Sequence, residues 1–176
     1  RIIVINIAVF ILVNVVNLAF YIAFQFSPHD PLTRYTSSPF YESYLTVFKF
    51  FSMSADWMFV LTHPWILITS MFLHQGFWHI LWNMLIMYWF GRIVGDFIGN
   101  QRILPIYLIS GLAGGLIFFV TANLLNYTGP NGYAYGASGA VMGIVVAAGT
   151  IAPEYVMRLL LLGDVKLKYI VVALVL

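Results

Sequence analysis

The fold is decided by residues 2–26, IIVINIAVFILVNVVNLAFYIAFQF, a run that contains no charged side chain. An α-helix needs about 20 predominantly apolar residues to cross the hydrocarbon core of a bilayer. The run is too long for the apolar core of a signal peptide, and no small-residue cleavage pattern follows it. We therefore predict a membrane-spanning helix that ends at Ser27 and Pro28.

The composition of the whole chain agrees with a membrane protein. Of its 176 residues, 62% are hydrophobic and only 8% are charged, and the mean hydropathy is +0.93. This excludes a soluble globular protein, which carries about 25% charged residues. A net charge of +2 spread over so few charged residues does not indicate a nucleic-acid partner. The absence of cysteine excludes disulfides, Cys-ligated metals and thiol nucleophiles.

Further apolar runs predict an all-α fold, a polytopic transmembrane helical bundle. We expect four full spans and an incomplete fifth, at about residues 2–26, 77–94, 103–125, 138–152 and 168–176. An outer loop over residues 28–76 separates the first two spans. In it, residues 41–59 predict a helix lying in the membrane surface, and residues 65–73 a segment at the interface. We treat residues 1–176 as one domain and as a piece of a longer protein.

The distribution of Lys and Arg between the spans predicts the orientation. Cytoplasmic loops are richer in these residues than outer loops. With the N-terminus in the cytoplasm, only Arg34 and Lys49 lie outside. The inside set is then Arg1, Arg92, Arg102, Arg158, Lys166 and Lys168. We therefore place the N-terminus inside and the loops at 28–76 and 126–137 on the outer face.

The fourth span is too short for the bilayer. Its fifteen residues, 138–152, give about 22 Å of helix, roughly 8 Å less than the hydrocarbon core. The glycine-rich backbone before it must then enter the membrane facing protein or a wet cavity, and Ser138 begins the helix there. Free amides at a helix start can stabilise an oxyanion. Alternatively, Ser138 is only an N-cap, and Gly136 and Gly139 only permit close helix packing.

A second polar group lies at the outer end of the second span. His79 and Asn83 are four residues apart, on one helix face, at a depth similar to that of Ser138, and His74 precedes them. Such side chains inside a bilayer indicate a functional site, although an inter-helix hydrogen bond that only holds the bundle together is the alternative. Together the groups predict a hydrolase site with a hydroxyl nucleophile and opposing donors, but without an obvious base.

These residues resemble the signatures of rhomboid intramembrane serine proteases. HQGFWHILWN at residues 74–83 is similar to their HxxxxHxxxN motif, and GASG at residues 136–139 to their GxSG motif. The resemblance implies that Ser138 is the nucleophile, that its amide, His79 and Asn83 form the oxyanion hole, and that His74 is structural. It also implies a base histidine on a sixth span, which this chain does not contain. The family's usual Glu after the glycine matching Gly91 is replaced by Gly95, with Asp96 next to it.

The resemblance implies a multi-pass protease of the bacterial inner membrane. Its partners would be the lipid bilayer and single-span membrane-protein substrates, with no metal and no cofactor; the oligomeric state stays open. A pseudoprotease that binds transmembrane segments is the alternative, and a transporter is a weaker one because only one broken helix is evident. Zinc and aspartyl intramembrane proteases are excluded, since the chain lacks HExxH and paired aspartates within spans.

Overall fold

A computed structural model describes residues 1–31, 33–125, 132–159 and 163–175 of the chain. In these ranges it contains eight α-helices, three short 3₁₀ turns and four short strands. The helices are α1 (Ile2–Phe26), α2 (Pro39–Phe50), α3 (Trp57–Thr62), α4 (Ile66–Thr69), α5 (Phe77–Ile98), α6 (Ile103–Leu124), α7 (Ser138–Ile151) and α8 (Leu167–Val175). The strands are β1 (Met53–Ser54), β2 (Tyr133–Ala134), β3 (Val156–Leu159) and β4 (Gly163–Lys166).

The chain is an all-α membrane bundle, as the apolar runs predict. Among the described residues, Ile2–Phe26 and Asn100–Leu124 are long and apolar enough to cross a membrane, and Ser138–Ile151 is apolar but shorter. The predicted helix starts at residues 77, 103 and 138 are confirmed, whereas α5 continues four residues past the predicted end at residue 94. The count of four full spans and a partial fifth stays a prediction.

Helix α7 forms the centre of the bundle, between α5, α6 and α8. Its buried side chains are all small or β-branched, and none is larger than isoleucine: Ala140, Val141, Ile144, Val145 and Ala148. The backbone of α7 approaches α6 closely where Gly139 faces Gly114 and Gly143 faces Ser110. Small residues permit this approach, which stabilises helix pairs in membranes. The prediction that Gly139 serves close helix packing is therefore confirmed.

A buried polar network joins α1 to α6. The Asn6 side-chain amide donates to the Tyr107 hydroxyl over 3.3 Å, and that hydroxyl donates to the Met71 carbonyl over 2.9 Å. Asn6 and Tyr107 are both fully buried, at 0% exposure. The network ties the first helix to the 3₁₀ turn Ser70–Phe72, so the outer loop is anchored inside the bundle.

The outer loop differs from the sequence prediction in one place. The single surface helix expected over residues 41–59 is wrong, because α2 ends at Phe50 and the chain turns into β1 before α3 begins. In residues 65–73, expected at the interface, Ile66, Ser70 and Met71 are buried in the bundle, whereas Trp65 and Ile68 are exposed. The depth of this segment in the membrane stays a prediction.

Two small antiparallel sheets were not predicted. Strand β1 of the outer loop pairs with β2, which immediately precedes the Gly136 region, through Met53 opposite Ala134 and Ser54 opposite Tyr133. Strands β3 and β4 pair between α7 and α8. Beside this second sheet, Glu154 binds Lys166 at 2.7 Å and Lys168 at 2.5 Å. These two hydrogen-bonded ammonium groups lower the pKa of the Glu154 carboxyl to about 2.

Candidate active site

The backbone just before α7 is held by the buried part of the outer loop. The Gly136 amide donates to the Ser70 carbonyl over 2.8 Å, and the Ala137 amide donates to Nε2 of His74 over 3.4 Å. The other ring nitrogen of His74, Nδ1, lies 3.2 Å from the Phe72 carbonyl. Because Nε2 accepts, Nδ1 carries the proton and donates to Phe72. Both nitrogens of His74 are therefore engaged in positioning the backbone that leads to Ser138.

Ser138 is the first residue of α7 and is exposed. The N-cap position is Ala137, whose carbonyl accepts the first intrahelical bond, from the Val141 amide at 2.8 Å. The alternative that Ser138 is an N-cap is thus wrong, and its hydroxyl is not used to cap the helix. The amides of the first helical turn have no intrahelical acceptor and point out of the helix start.

The register between α6 and α7 gives the depth of Ser138. Gly139 faces Gly114, and Leu124, the last residue of α6, lies ten residues beyond Gly114. At 1.5 Å per residue, the start of α7 therefore lies about 15 Å below the outer end of α6. The fourteen residues of α7 span about 21 Å, consistent with the short fourth span inferred from sequence. Ser138 occupies a recess, well below the ends of its neighbouring helices.

His79 lies in the first turn of α5 and directly contacts the backbone at Gly136. A methyl group built on Gly136 would be 2.7 Å from Cε1 and 2.8 Å from Nε2 of His79, so no side chain fits there. Gly136 also has φ +113°, a conformation that L side chains rarely adopt. The centroids of the His79 and His74 rings are 4.9 Å apart. Gly136 thus has a specific role at the site: it makes room for the imidazole.

Asn83 lies one turn further along α5 and is buried. Its side-chain amide donates to the His79 carbonyl over 2.8 Å. An amide NH₂ has two donors, so one N–H is available for a second acceptor. The bond to His79 limits the rotation of the carboxamide and orients it within the site.

One cavity of about 360 Å³ brings the predicted site residues together. Ser138, His79 and Asn83 all line it, between α5, α7 and α8. The remaining wall is apolar: Trp78, Trp82, Ile86, Val141, Met142, Val145 and Leu174. A small polar cluster in an otherwise apolar cavity can accept an extended peptide and stabilise developing negative charge, since few water molecules compete there.

The other histidines and Asp96 lie outside this cavity. His29 stacks on Phe24 with 4.1 Å between ring centroids, and His63 stacks on Phe59 at 4.0 Å.

Asp96 forms an exposed ion pair with Arg92, with 4.0 Å between the charged groups. The resemblance implies Glu at the position of Gly95. The side-chain oxygen of Asn100 occupies the space that a Cβ at this position would need. The local reason for glycine there is therefore the turn that follows α5.

Three features of the site were missed by sequence reasoning. Ser70 holds Gly136, the Tyr135 hydroxyl donates to the Gln75 side chain over 2.6 Å, and β1 pairs with β2. Gln75 had a signal, since it is a polar residue between His74 and Gly76 in the motif. Ser70 and the strand pairing had none, because each depends on a partner more than 60 residues away.

Comparison with known proteins identifies a family. Residues 61–175 match the family model described as Rhomboid domain. YdcA of Bacillus subtilis, named as a rhomboid, is 36% identical over 81 residues, which cover 46% of this chain and 37% of YdcA. Rhomboid protein 1, mitochondrial, of Saccharomyces cerevisiae is 35% identical over 81 residues, covering 45% of this chain and 22% of that protein.

A plant relative matches a longer stretch. RHOMBOID-like protein 1 of Arabidopsis thaliana is 32% identical over 125 residues, which cover 71% of this chain and 28% of the plant protein. The matches thus span well under half the length of these relatives. No solved structure gave a significant match.

Proposed function

This chain belongs to the rhomboid family, and from that premise we propose that it is a serine-type intramembrane endopeptidase. The observation that carries the proposal is the meeting of Ser138, His79 and Asn83 in one recessed cavity. A role in packing alone requires neither an uncapped hydroxyl at the helix start nor a glycine that clears space for an imidazole. The provisional name of YdcA, a rhomboid protease, supports the same activity.

The proposed reaction is nucleophilic acyl transfer. The Ser138 hydroxyl oxygen attacks the carbonyl carbon of the peptide bond and loses its proton to a general base. The resemblance implies that this base is a histidine on a sixth span. The tetrahedral oxyanion accepts hydrogen bonds from the Ser138 amide, the His79 ring and the free N–H of Asn83. The amine leaves with a proton from the base, and water then hydrolyses the acyl-enzyme in the reverse sense.

The family acts on membrane proteins within the bilayer, and we propose that the substrates are single-span membrane proteins. The cavity supports this substrate class in two ways. Its wall is almost entirely apolar, and Trp78 and Trp82 at its margin are more than half exposed on α5. An apolar transmembrane segment can therefore contact the wall while its scissile bond reaches Ser138.

The chain is an integral membrane protein, and we propose a bacterial inner membrane with the N-terminus in the cytoplasm. The orientation rests on the excess of Lys and Arg on the proposed inner side. The glutamate–lysine cluster at Glu154 lies between α7 and α8, on that side of the bundle. Relatives named as mitochondrial share the family, so the kind of membrane rests on the proposal alone.

A catalytically inactive rhomboid that binds transmembrane segments in the same cavity is the second candidate. The observation that favours it is the lining of the cavity. The wall is almost entirely apolar, so the cavity can bind a transmembrane segment without any reaction at Ser138.

A fluorophosphonate probe separates the two candidates. The full-length protein, purified in detergent, is compared with Ser138→Ala and with Ser43→Ala. Ser43 is an exposed serine of α2 whose hydroxyl donates to the Pro39 carbonyl, and it serves as the matched control. Protease function requires labelling of the wild type and of Ser43→Ala but not of Ser138→Ala. Equal labelling of all three disproves the nucleophile, and absence of labelling throughout favours the binding role.

A further inference from the structure

A second cavity lies among the elements of the outer loop, between α2 and the segment that contains β2. Its volume is about 340 Å³, and we call it the outer cavity. Three tyrosines, Tyr41, Tyr133 and Tyr135, line it together with Lys49 and Gln75. Its wall therefore carries hydroxyl groups, a carboxamide and a cation, whereas the wall of the first cavity is almost entirely apolar.

Lys49 is the only charged residue that lines the outer cavity in the described part of the chain. It is half-buried, and its ammonium group lies 5.5 Å from the centroid of the Tyr133 ring, within the range of a cation–π contact. The ion pairs found among the described residues lie elsewhere, at Asp96, Glu154 and Asp164. A half-buried ammonium group without a carboxylate favours an anionic ligand, because burial removes part of its hydration.

The neighbouring side chains offer hydrogen-bond donors to the same ligand. The Tyr135 hydroxyl donates to the side-chain oxygen of Gln75 over 2.6 Å, so that oxygen is occupied. Within the described ranges, the NH₂ group of Gln75 and the hydroxyl of Tyr133 make no hydrogen bond. A carboxylate accepts hydrogen bonds and donates none, so it fits a cavity that presents a cation and free donors.

The outer cavity adjoins the proposed active site through Tyr135. The centroids of the Tyr135 and His79 rings are 6.2 Å apart, and Tyr135 precedes Ser138 by three residues. Three residues of extended chain span at most about 10 Å. A peptide strand advances about 3.3 Å per residue, so a substrate cleaved at Ser138 brings a side chain roughly two to five residues away to the outer cavity.

We propose that the outer cavity binds an acidic side chain, Asp or Glu, on the outer side of the scissile bond of the substrate. The proposal rests on the proposed function and adds a specificity-determining residue to it. The substrate carboxylate pairs with the ammonium group of Lys49 and accepts hydrogen bonds from Gln75 and Tyr133. A position within reach of Ser138 favours a substrate side chain over a lipid headgroup.

Peptide affinity tests the proposal independently of catalysis. The full-length Ser138→Ala protein, in phosphatidylcholine nanodiscs, is titrated with fluorescent single-span peptides that carry one Asp, Asn or Lys at successive positions outside the span. We expect Asp to bind about fivefold more tightly than Asn at a position within reach of the outer cavity, the upper range for a partly exposed ion pair. Lys should bind most weakly there. Equal affinities for Asp and Asn at every position would overturn the proposal.

Variants of Lys49 assign the preference to the outer cavity. Lys49→Met should abolish the difference between Asp and Asn peptides, and Lys49→Glu should invert the preference in favour of Lys. Arg34→Met is the matched control, because Arg34 is an exposed cation of the outer loop that does not line the cavity. It should retain the preference for Asp. Equal losses in Arg34→Met and Lys49→Met would mean that the general charge of the outer face is responsible, and the proposal would fail.

Cleavage and labelling separate this proposal from the proposed function. If the wild type is labelled by the fluorophosphonate but cleaves Asp and Asn peptides with equal kcat/KM, the acidic subsite fails while the protease stands. If the wild type is not labelled but shows a Lys49-dependent preference for Asp peptides, the subsite stands in a binding protein. If Lys49→Met weakens binding of phosphatidylglycerol but leaves the peptide preference intact, the cavity binds a lipid headgroup and the proposal is overturned.

Discussion

The imidazole of His79 lies against Gly136, with no space for a side chain between them. These residues belong to different segments, the first turn of α5 and the loop before α7. Their contact fixes the position of the ring relative to the residue two places before Ser138. The two sequence motifs are therefore one structural unit, because His79 of the first motif packs directly against Gly136 of the second.

The substitution Gly136→Ala should disrupt the proposed site. The new methyl group must displace His79, and the positive φ adds strain of about 1–3 kcal/mol. We expect the rate of fluorophosphonate labelling to fall about 100-fold, as when one oxyanion donor is lost. Gly115→Ala is the control, since its methyl group would approach nothing closer than 4.0 Å. Wild-type labelling of Gly136→Ala would show that the position of His79 is not critical.

Gly143→Ala should destabilise the pairing of α6 and α7. The added methyl group would overlap the side chain of Ser110, and overpacking of this kind costs about 1–3 kcal/mol. Thermal unfolding in detergent measures the loss. Ser110→Gly combined with Gly143→Ala should recover most of it, because the double variant removes the overlapping atoms. Additive losses in the double variant would contradict direct contact between these positions.

Tyr107→Phe should loosen the anchor of the outer loop. The hydroxyl bonds both Asn6 and the Met71 carbonyl in a fully buried position. Removing it leaves buried polar groups unpaired, at a cost of about 1–3 kcal/mol. Tyr88→Phe, at an exposed tyrosine of α5, should change the unfolding temperature little. Equal effects of the two variants would mean that the network does not stabilise the loop.

The cluster at Glu154 should make stability depend on acidic pH. The folded-state pKa of about 2 lies below the ordinary value of 4.5, so the unfolded state binds the proton more readily. The contribution of Glu154 is therefore fully present above about pH 5 and is lost as the pH falls toward 2. The difference in unfolding temperature between wild type and Glu154→Gln should shrink over this range.

A second variant checks the cause of that dependence. Lys166→Met combined with Lys168→Met removes both cations that hold the carboxylate. In this background, Glu154→Gln should have little effect at any pH between 5 and 2. If Glu154→Gln still had a pH-dependent effect in this background, the pH dependence of stability would arise from other groups.

The parts of the fold that the sequence predicts are those with a local cause. The start of α7 at Ser138 follows from the break between glycine-rich backbone and an apolar run, and α1 follows from 25 uncharged residues. The grouping of His79 and Asn83 follows from helical spacing. Their meeting with Ser138 was inferred from depth and from the resemblance, and the cavity contains all three.

The outer loop could not be predicted in the same way. Residues 66–73 are mostly apolar, and their pattern does not show which of them pack inside the bundle; Met71 does so through its contacts with Tyr107 and Gly111. Within residues 41–59, the helical spacing of positions 44, 47, 48 and 51 predicts one helix, but Met53 and Ser54 pair with residues near 133. Local pattern carries no information about such distant partners.

The hydrogen bond from Ala137 to His74 joins residues 63 positions apart, and this separation affects biosynthesis. Until residue 137, which follows α6, has been synthesised, Nε2 of His74 lacks this partner. The backbone before Ser138 therefore takes its working shape only after the surrounding helices are in place, since non-local contacts form late. On the proposed function, the helix start that carries Ser138 is therefore assembled only after both segments are in place.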